Sequence, residues 1–307
     1  MYKIIFIVIV LWLASCSEHV AINNTAKLNA LATQYVRLGL SIGQYDADFV
    51  DAYYGPDSLK PTVATSSAFE KDSLLSSVTT LLHELDAFDS TDNDTLAKRA
   101  KWMQAQLKAF ERRIKIFAGE TATFDEESKD LYGVVAPVYD TQHYRRIVKR
   151  LDSLLQGKGS INERFQQLAN HFIIPKNKLD TVFKTSIAEC RKRTMQHYTF
   201  PANESFTLEY VTNKPWSGYN WYKGNYRSVI QINTDLQIFI DRAIDVGSHE
   251  SYPGHHVYNM LLEKNLYRDK GWVEISLYPL FSPQSLTAEG SANYGIEVAF
   301  PGEEKVS

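Results

Sequence analysis

Chemistry concentrates in one stretch, His249-Glu250-Ser251-Tyr252-Pro253-Gly254-His255-His256. Three of the chain's eight histidines fall within it, next to a carboxylate. Imidazoles with an adjacent glutamate are the parts of a site that holds a divalent ion and activates water. The familiar HExxH arrangement sets two imidazoles four residues apart on one helical face, with the glutamate as base. The interval here is wider. On an unbroken helix His255 would lie about 240° around from His249 and roughly 9 Å along the axis. His256 would return to the same face but roughly 10.5 Å away. Donors to one zinc lie about 2.0–2.1 Å from it, so a regular helix fails for either histidine. Pro253 has no N–H to give to the carbonyl four residues back, that of His249. Gly254 is free to take a positive φ. Together they predict a widened or broken turn that swings His255 back toward His249. The competing reading is a helix that ends at Pro-Gly and carries two surface histidines.

The elements that must hold this stretch read mainly as helix. Leu28, Leu31, Tyr35 and Leu38 recur at three- and four-residue spacing within 20–50, and the Gly55-Pro56-Asp57 turn closes that region. A second helix fits 66–87, and Asp92-Asn93-Asp94 predicts a cap for a long one over 95–117. Further helices are expected at 125–132, 139–156, 160–172 and 176–198. The basic clusters Arg112-Arg113, Arg145-Arg146 and Arg191-Lys192-Arg193 read as solvated helix faces. The texture changes at 203–232. Residues 206–211 and 226–232 alternate as strands do, with turn chemistry from Pro215 to Gly224 between them. A hairpin or small sheet is expected there, with Asn233-Thr234-Asp235 capping a helix from about Leu236. The fold class expected is mainly α with a small β hairpin or sheet.

The chain has 307 residues, with 33 basic against 36 acidic and a formal charge of -3. That balance gives no electrostatic reason to expect a nucleic-acid partner. Residues 1–15 read as a signal peptide: one cation, then an apolar run too short for a mature spanning helix. Leu13-Ala14-Ser15-Cys16 is similar to a bacterial lipobox, which predicts acylation of Cys16 and a linker over 16–23. Ser17 after that cysteine favours the outer membrane as destination. Cys190 is the other thiol, and it reads as a small buried hydrophobe.

The His-Glu-x-x-Pro-Gly-His-His pattern resembles the signature of a bacterial family, domain-of-unknown-function family 885. Its members are often exported lipoproteins grouped with gluzincin-type zinc peptidases. The family's second signature is similar to Glu289-Gly290-Ser291-Ala292-Asn293-Tyr294-Gly295-Ile296-Glu297, with Ser291 where the family usually has Trp. The resemblance implies a gluzincin-like metallopeptidase architecture across 24–307, with the metal-site helices in 236–307. It implies His249, His255 and Glu289 as ligands of a zinc ion (Zn2+) and Glu250 as the general base. His256 would then face substrate or support a ligand, and Glu297 would orient a ligand histidine. Tyr294 is a candidate for the same supporting or substrate-facing positions. Peptide substrate would lie along the strand at 226–232, with Tyr219, Trp221, Tyr222 and Tyr226 lining a groove and Arg227 holding a carboxylate. The family also implies later helical sequence that supplies Tyr and Arg or His to the cleft. The function expected is a lipid-anchored zinc hydrolase acting on peptides in the cell envelope. The alternative is a relative without turnover that binds a peptide or a partner at the surface.

Overall fold

The protein is described here by a computed structural model covering residues 24–62, 68–88 and 94–306. The expected signal peptide, Cys16 and the Asp92-Asn93 part of the predicted cap lie outside these residues. The described residues divide into two compact units. One is drawn from the chain up to Gly133 together with Asn265–Ser285, the other from Val134–Lys264 together with Leu286–Ser307.

The first unit follows the periodicity closely. Helix α1 (24–43) buries Leu28, Leu31, Tyr35, Leu38 and Ile42, one stripe at helical spacing. Helix α2 (Lys71–Leu85) buries Leu74, Val78, Leu81 and Leu85. Helix α3 (Thr95–Phe117) adds Met103, Leu107, Phe110 and Ile114 to the same core. Tyr35 stacks on Phe110 with ring centroids 5.1 Å apart. Asp94 starts α3 by accepting from Leu96 N at 3.0 Å, so that part of the predicted cap is real. Helix α4 (Phe124–Tyr132) opens on a Thr123–Glu126 capping box and stops at Gly133, whose φ of 77° suits glycine. Strand β1 (Val50–Tyr53), which the sequence reading missed, pairs antiparallel with β5 (Leu277–Pro279). The Arg112-Arg113 pair departs from the expected solvated face. Arg112 is buried, and Arg113 is ion-paired with Asp46 and covers the Phe281 ring at 3.9 Å. Arg99 and Glu274 form a buried, two-pronged ion pair, with Asn29 accepting from the remaining guanidinium nitrogen.

In the second unit, helices α5 (Thr141–Leu154), α6 (Ile161–Ala169) and α7 (Leu179–Thr194) lie where helices were expected. A three-stranded sheet follows: β2 (Ser205–Val211), β3 (Gly218–Gly224) and β4 (Arg227–Asn233), in the order β2-β4-β3. β2 runs parallel to β4, and β3 antiparallel to it. The segment expected to be a turn, Pro215–Gly224, therefore holds a strand. The real turn is Asn225-Tyr226, both left-handed at φ 54° and 61°, the two-residue connection that matches strand twist. Glu263 fixes it by accepting from both backbone N–H groups. Ile230 and Ile232 of β4 pack with Phe183 of α7 and with Ala243 and Val246 of helix α8 (Ile240–Glu250). α8 starts at Ile240, not Leu236. Asn233 does not cap it; its amide donates to the carbonyls of Lys214 and Trp216. Cys190 is fully buried in α7, and burial pushes its thiol up to about 12, which suits the apolar role expected.

The buried pair in the first unit sets a clear expectation. Glu274→Ala strands the Arg99 guanidinium in the core and should cost about 3–5 kcal/mol in chemical denaturation. Asp57→Ala, which removes the exposed partner of Lys60, should leave the denaturation midpoint close to that of wild type.

Candidate metal centre

The motif folds as two helices with a tight break between them. α8 ends at Glu250, and α9 (His255–Leu262) begins at His255. Ser251 N donates to Gly247 O, and Gly254 N then reaches back to Ser248 O at 2.9 Å. The chain thus folds across the end of α8 before α9 departs. Gly254 makes this possible, but not through a positive φ, since its φ is -70°. Its role is close approach: a Cβ built there would lie 1.8 Å from the His249 carbonyl oxygen and 2.5 Å from that of Ser248. No side chain fits. The Tyr252–Pro253 peptide within the break is cis.

The break brings His255 Nε2 to 3.1 Å from His249 Nε2. Helix α10 (Pro283–Ala299) supplies the third group. Its buried small residues Ala288, Ala292 and Ala299, with Gly295, recur at spacings of four, three and four. Gly295 lies against the break: a Cβ there would meet Pro253 Cδ and Ser248 O at 3.4 Å. That approach delivers Glu289, whose carboxylate oxygens lie 3.3 Å from His249 Nε2 and 3.2 Å from His255 Nε2. One turn on, Asn293 hydrogen-bonds His249 as well.

The three donors of His249, His255 and Glu289 all lie within 4.8 Å of one another. Four ligands set tetrahedrally at 2.0–2.1 Å from zinc are about 3.3–3.4 Å apart. The two imidazole nitrogens, 3.1 Å apart, stand near such an edge, each histidine meets its own oxygen of Glu289, and two imidazoles with one carboxylate form a donor set that zinc takes. The residues present therefore fit a divalent ion. Charge agrees. The hydrogen bonds from His249 and His255 hold the Glu289 carboxyl well below the usual range. Burial pushes His249 down, but the Glu289 hydrogen bond and the Glu250 charge outweigh it and leave His249 above its ordinary value. Glu289 keeps half its side chain exposed, so the cluster opens to solvent on that side.

Glu250, the expected base, is buried at the end of α8. Its carboxylate lies against the backbone of Gly218 at the start of β3, where a Cβ would come within 3.1 Å of Oε1. His256 is not part of the cluster. Its Nε2 donates to Glu204 Oε1 at 2.8 Å, and its Nδ1 is hydrogen-bonded to Ser228 Oγ at 2.8 Å. Tyr294 is exposed, and Glu297 is half-buried two turns beyond Glu289. Tyr226 and Arg227 sit at the other end of β3, six residues from Gly218, or roughly 20 Å at strand rise. The strand beside Glu250 is β3, an edge of its sheet, whereas β4, expected to border the substrate, is central. Tyr219 and Trp221 pack with Trp216 on one face of β3, with centroids 4.6 Å apart for Tyr219–Trp221 and 4.9 Å for Trp216–Tyr219. Tyr222 faces the other way and donates to Glu263.

Glu204 escaped the sequence reading. Its side chain is 1% exposed, and its carboxylate accepts from His256, Tyr252 and Arg191. Burial raises its pKa, but those three donors prevail and bring it down to about 2. Arg191 thereby leaves the solvated face assigned to its cluster. Asn220, equally unforeseen, donates from its amide to the Glu250 carbonyl at 2.6 Å.

No family model matches the chain, and no curated protein matches it. The resemblance to family 885 therefore rests on its two motifs. A solved structure described as "the putative lipoprotein from Colwellia psychrerythraea" is similar, with 16% identity and a TM-score of 0.42. The similarity covers 76% of this chain and 46% of that one, so the chain spans under half that protein's length. Similarity at that level identifies no family. What stands, among the described residues, is a mainly helical fold with two small sheets and a His-His-Glu group able to hold a metal ion.

Two outcomes follow. Gly254→Ala should abolish any divalent-ion uptake by the His-His-Glu group, because its Cβ cannot share space with the His249 carbonyl; atomic absorption on the purified, folded variant beside wild type checks this. Glu204 contributes stability that is complete above its ordinary value of 4.5 and is lost as pH falls toward about 2. The stability gap between wild type and Glu204→Gln should therefore shrink across that acid window in pH-resolved urea unfolding.

Proposed function

We propose that this chain is a zinc-dependent hydrolase of gluzincin type that cleaves peptide bonds. The observation that carries the reading is the convergence of His249, His255 and Glu289 across a broken helix, with Glu250 directly beside the first ligand. Three protein ligands leave one position open, as catalytic rather than structural zinc sites require. A zinc ion held there would polarise a substrate carbonyl and make a water acidic near neutral pH.

The protein's own groups divide the remaining work. Glu250 takes the proton from the attacking water and returns it to the leaving amine. Its position against Gly218 keeps the carboxylate packed and oriented, and Asn220 pins the carbonyl of the same residue. Glu289 would hold the ion together with the two imidazoles; without an ion its two oxygens meet the same ring nitrogens instead. β3, an edge strand beside Glu250, supports an extended peptide bound through main-chain hydrogen bonds. The motif resemblance supports the peptidase class. The lipobox-like Leu13–Cys16 stretch supports a site in the cell envelope with the chain tethered through acyl groups on Cys16. Among the described residues no helix is long and apolar enough to cross a membrane.

Purified protein should carry or take up about one zinc per chain, and His249→Ala should take none. Glu250→Gln should keep the metal and lose about 10²–10⁴ in turnover on a peptide library. Full turnover by Glu250→Gln, or wild-type protein that binds no zinc on titration, would remove this reading.

A further inference from the structure

The break between α8 and α9 gives up helical hydrogen bonds just where the geometry must be most exact. Something else has to set the direction in which α9 leaves. Three polar groups in or beside the break have partners distant in sequence: the Glu250 carbonyl, the Tyr252 hydroxyl and the His256 imidazole. Tyr252 and His256 both donate to Glu204 Oε1, and Arg191 Nη2 donates to Oε2 at 2.8 Å. His256 continues through Ser228 Oγ, which donates to Asn220 Oδ1 at 3.1 Å, and Asn220 holds the Glu250 carbonyl. One buried carboxylate thus grips the middle of the break and the first turn of α9, and through two further links the end of α8.

Packing backs the same point. The Tyr252 ring is 1% exposed, stacked on Phe200 at 5.7 Å and edge-on to His256 at 5.2 Å. Arg191 lies 5.7 Å from that ring, so the cation that balances Glu204 also covers Tyr252.

We infer that Glu204 is a positioning residue for the metal centre: by holding Tyr252 and His256 it fixes the start of α9 and so keeps the His255 imidazole facing His249. The inference rests on the metal-site reading above and assigns Glu204 no contact with substrate or ion. It makes the convergence of the two imidazoles a property of the metal-free protein. The carboxylate is also the group that fits. A glutamine of the same size offers one acceptor oxygen where three donors converge, and turns an N–H₂ toward one of them.

The test compares wild type, Glu204→Gln, Glu204→Asp and Tyr252→Phe, each checked for folding by circular dichroism. Zinc affinity is measured by chelator competition, cobalt(II) spectra report coordination geometry, and metal-free crystals give the His249–His255 Nε2 separation. Glu204→Gln should bind zinc about 10–100-fold more weakly, alter the cobalt spectrum and lengthen the 3.1 Å separation. Glu204→Asp should recover part of the affinity. Tyr252→Phe, which removes one donor and keeps the ring, should show a smaller loss in the same direction. If Glu204→Gln does not fold, Tyr252→Phe carries the comparison. A folded variant with wild-type affinity, spectrum and separation overturns the inference. If wild type binds no zinc but the imidazoles still part in the variant, the metal reading falls and the positioning role stands.

Discussion

The site depends on one close approach, the backbone of Gly254 lying against the carbonyl end of α8. Helices normally end by letting their last carbonyls meet water or a capping N–H. Here the chain uses Gly254 N to satisfy Ser248 and presses the glycine against the His249 carbonyl, which no residue with a Cβ could do. The result is a helix that stops and restarts within four residues, and two imidazoles that a continuous helix would hold far apart meet at 3.1 Å. The small-residue stripe of α10 repeats the device. Gly295 lets that helix ride close to the break, and the closeness carries Glu289 into range of both histidines.

Around this contact the second unit is built as a support. The sheet presents Asn220 and Ser228 from neighbouring strands, α7 presents Arg191, and the lead-in to β2 presents Glu204. Asn220, Ser228 and Glu204 end on groups within a few residues of the break, and Arg191 ends on Glu204 and covers the Tyr252 ring. A buried carboxylate is costly unless several donors meet it, and Glu204 meets three. The polar network behind the cluster is thus satisfied from within the protein, while the cluster itself stays open through the half-exposed Glu289 side chain. That asymmetry, firm behind and open in front, is what the proposed hydrolase site would require.

Much of this was legible in the residues. The stripe of α1, the Asp94 cap and the helices after it follow from spacing and capping chemistry, because they are local. The break at Pro253-Gly254 was legible too, since a spacing of six is unusable on a straight helix. The reason for the glycine was not: positive φ and close approach both call for glycine, and only the position of the His249 carbonyl distinguishes them. β3 was hidden because Gly, Asn and Lys interrupt Gly218–Gly224 and mimic a turn, while its pairing with β4 is set by the Asn225-Tyr226 turn. Glu204 and Arg191 were hidden for a different reason. Each is an ordinary charged residue in sequence, and only the fold brings them to Tyr252 and His256, 48 and 52 residues from Glu204.

The central claim, that two imidazoles of a broken helix and a carboxylate from a third helix share one ion, is tested most directly by X-ray absorption at the zinc edge of the zinc-loaded protein. The account predicts a first shell of nitrogen and oxygen at about 2.0–2.1 Å with outer-shell scattering from two imidazole rings, reduced to one ring in His255→Ala. A shell without imidazole scattering, or one unchanged in His255→Ala, would contradict it.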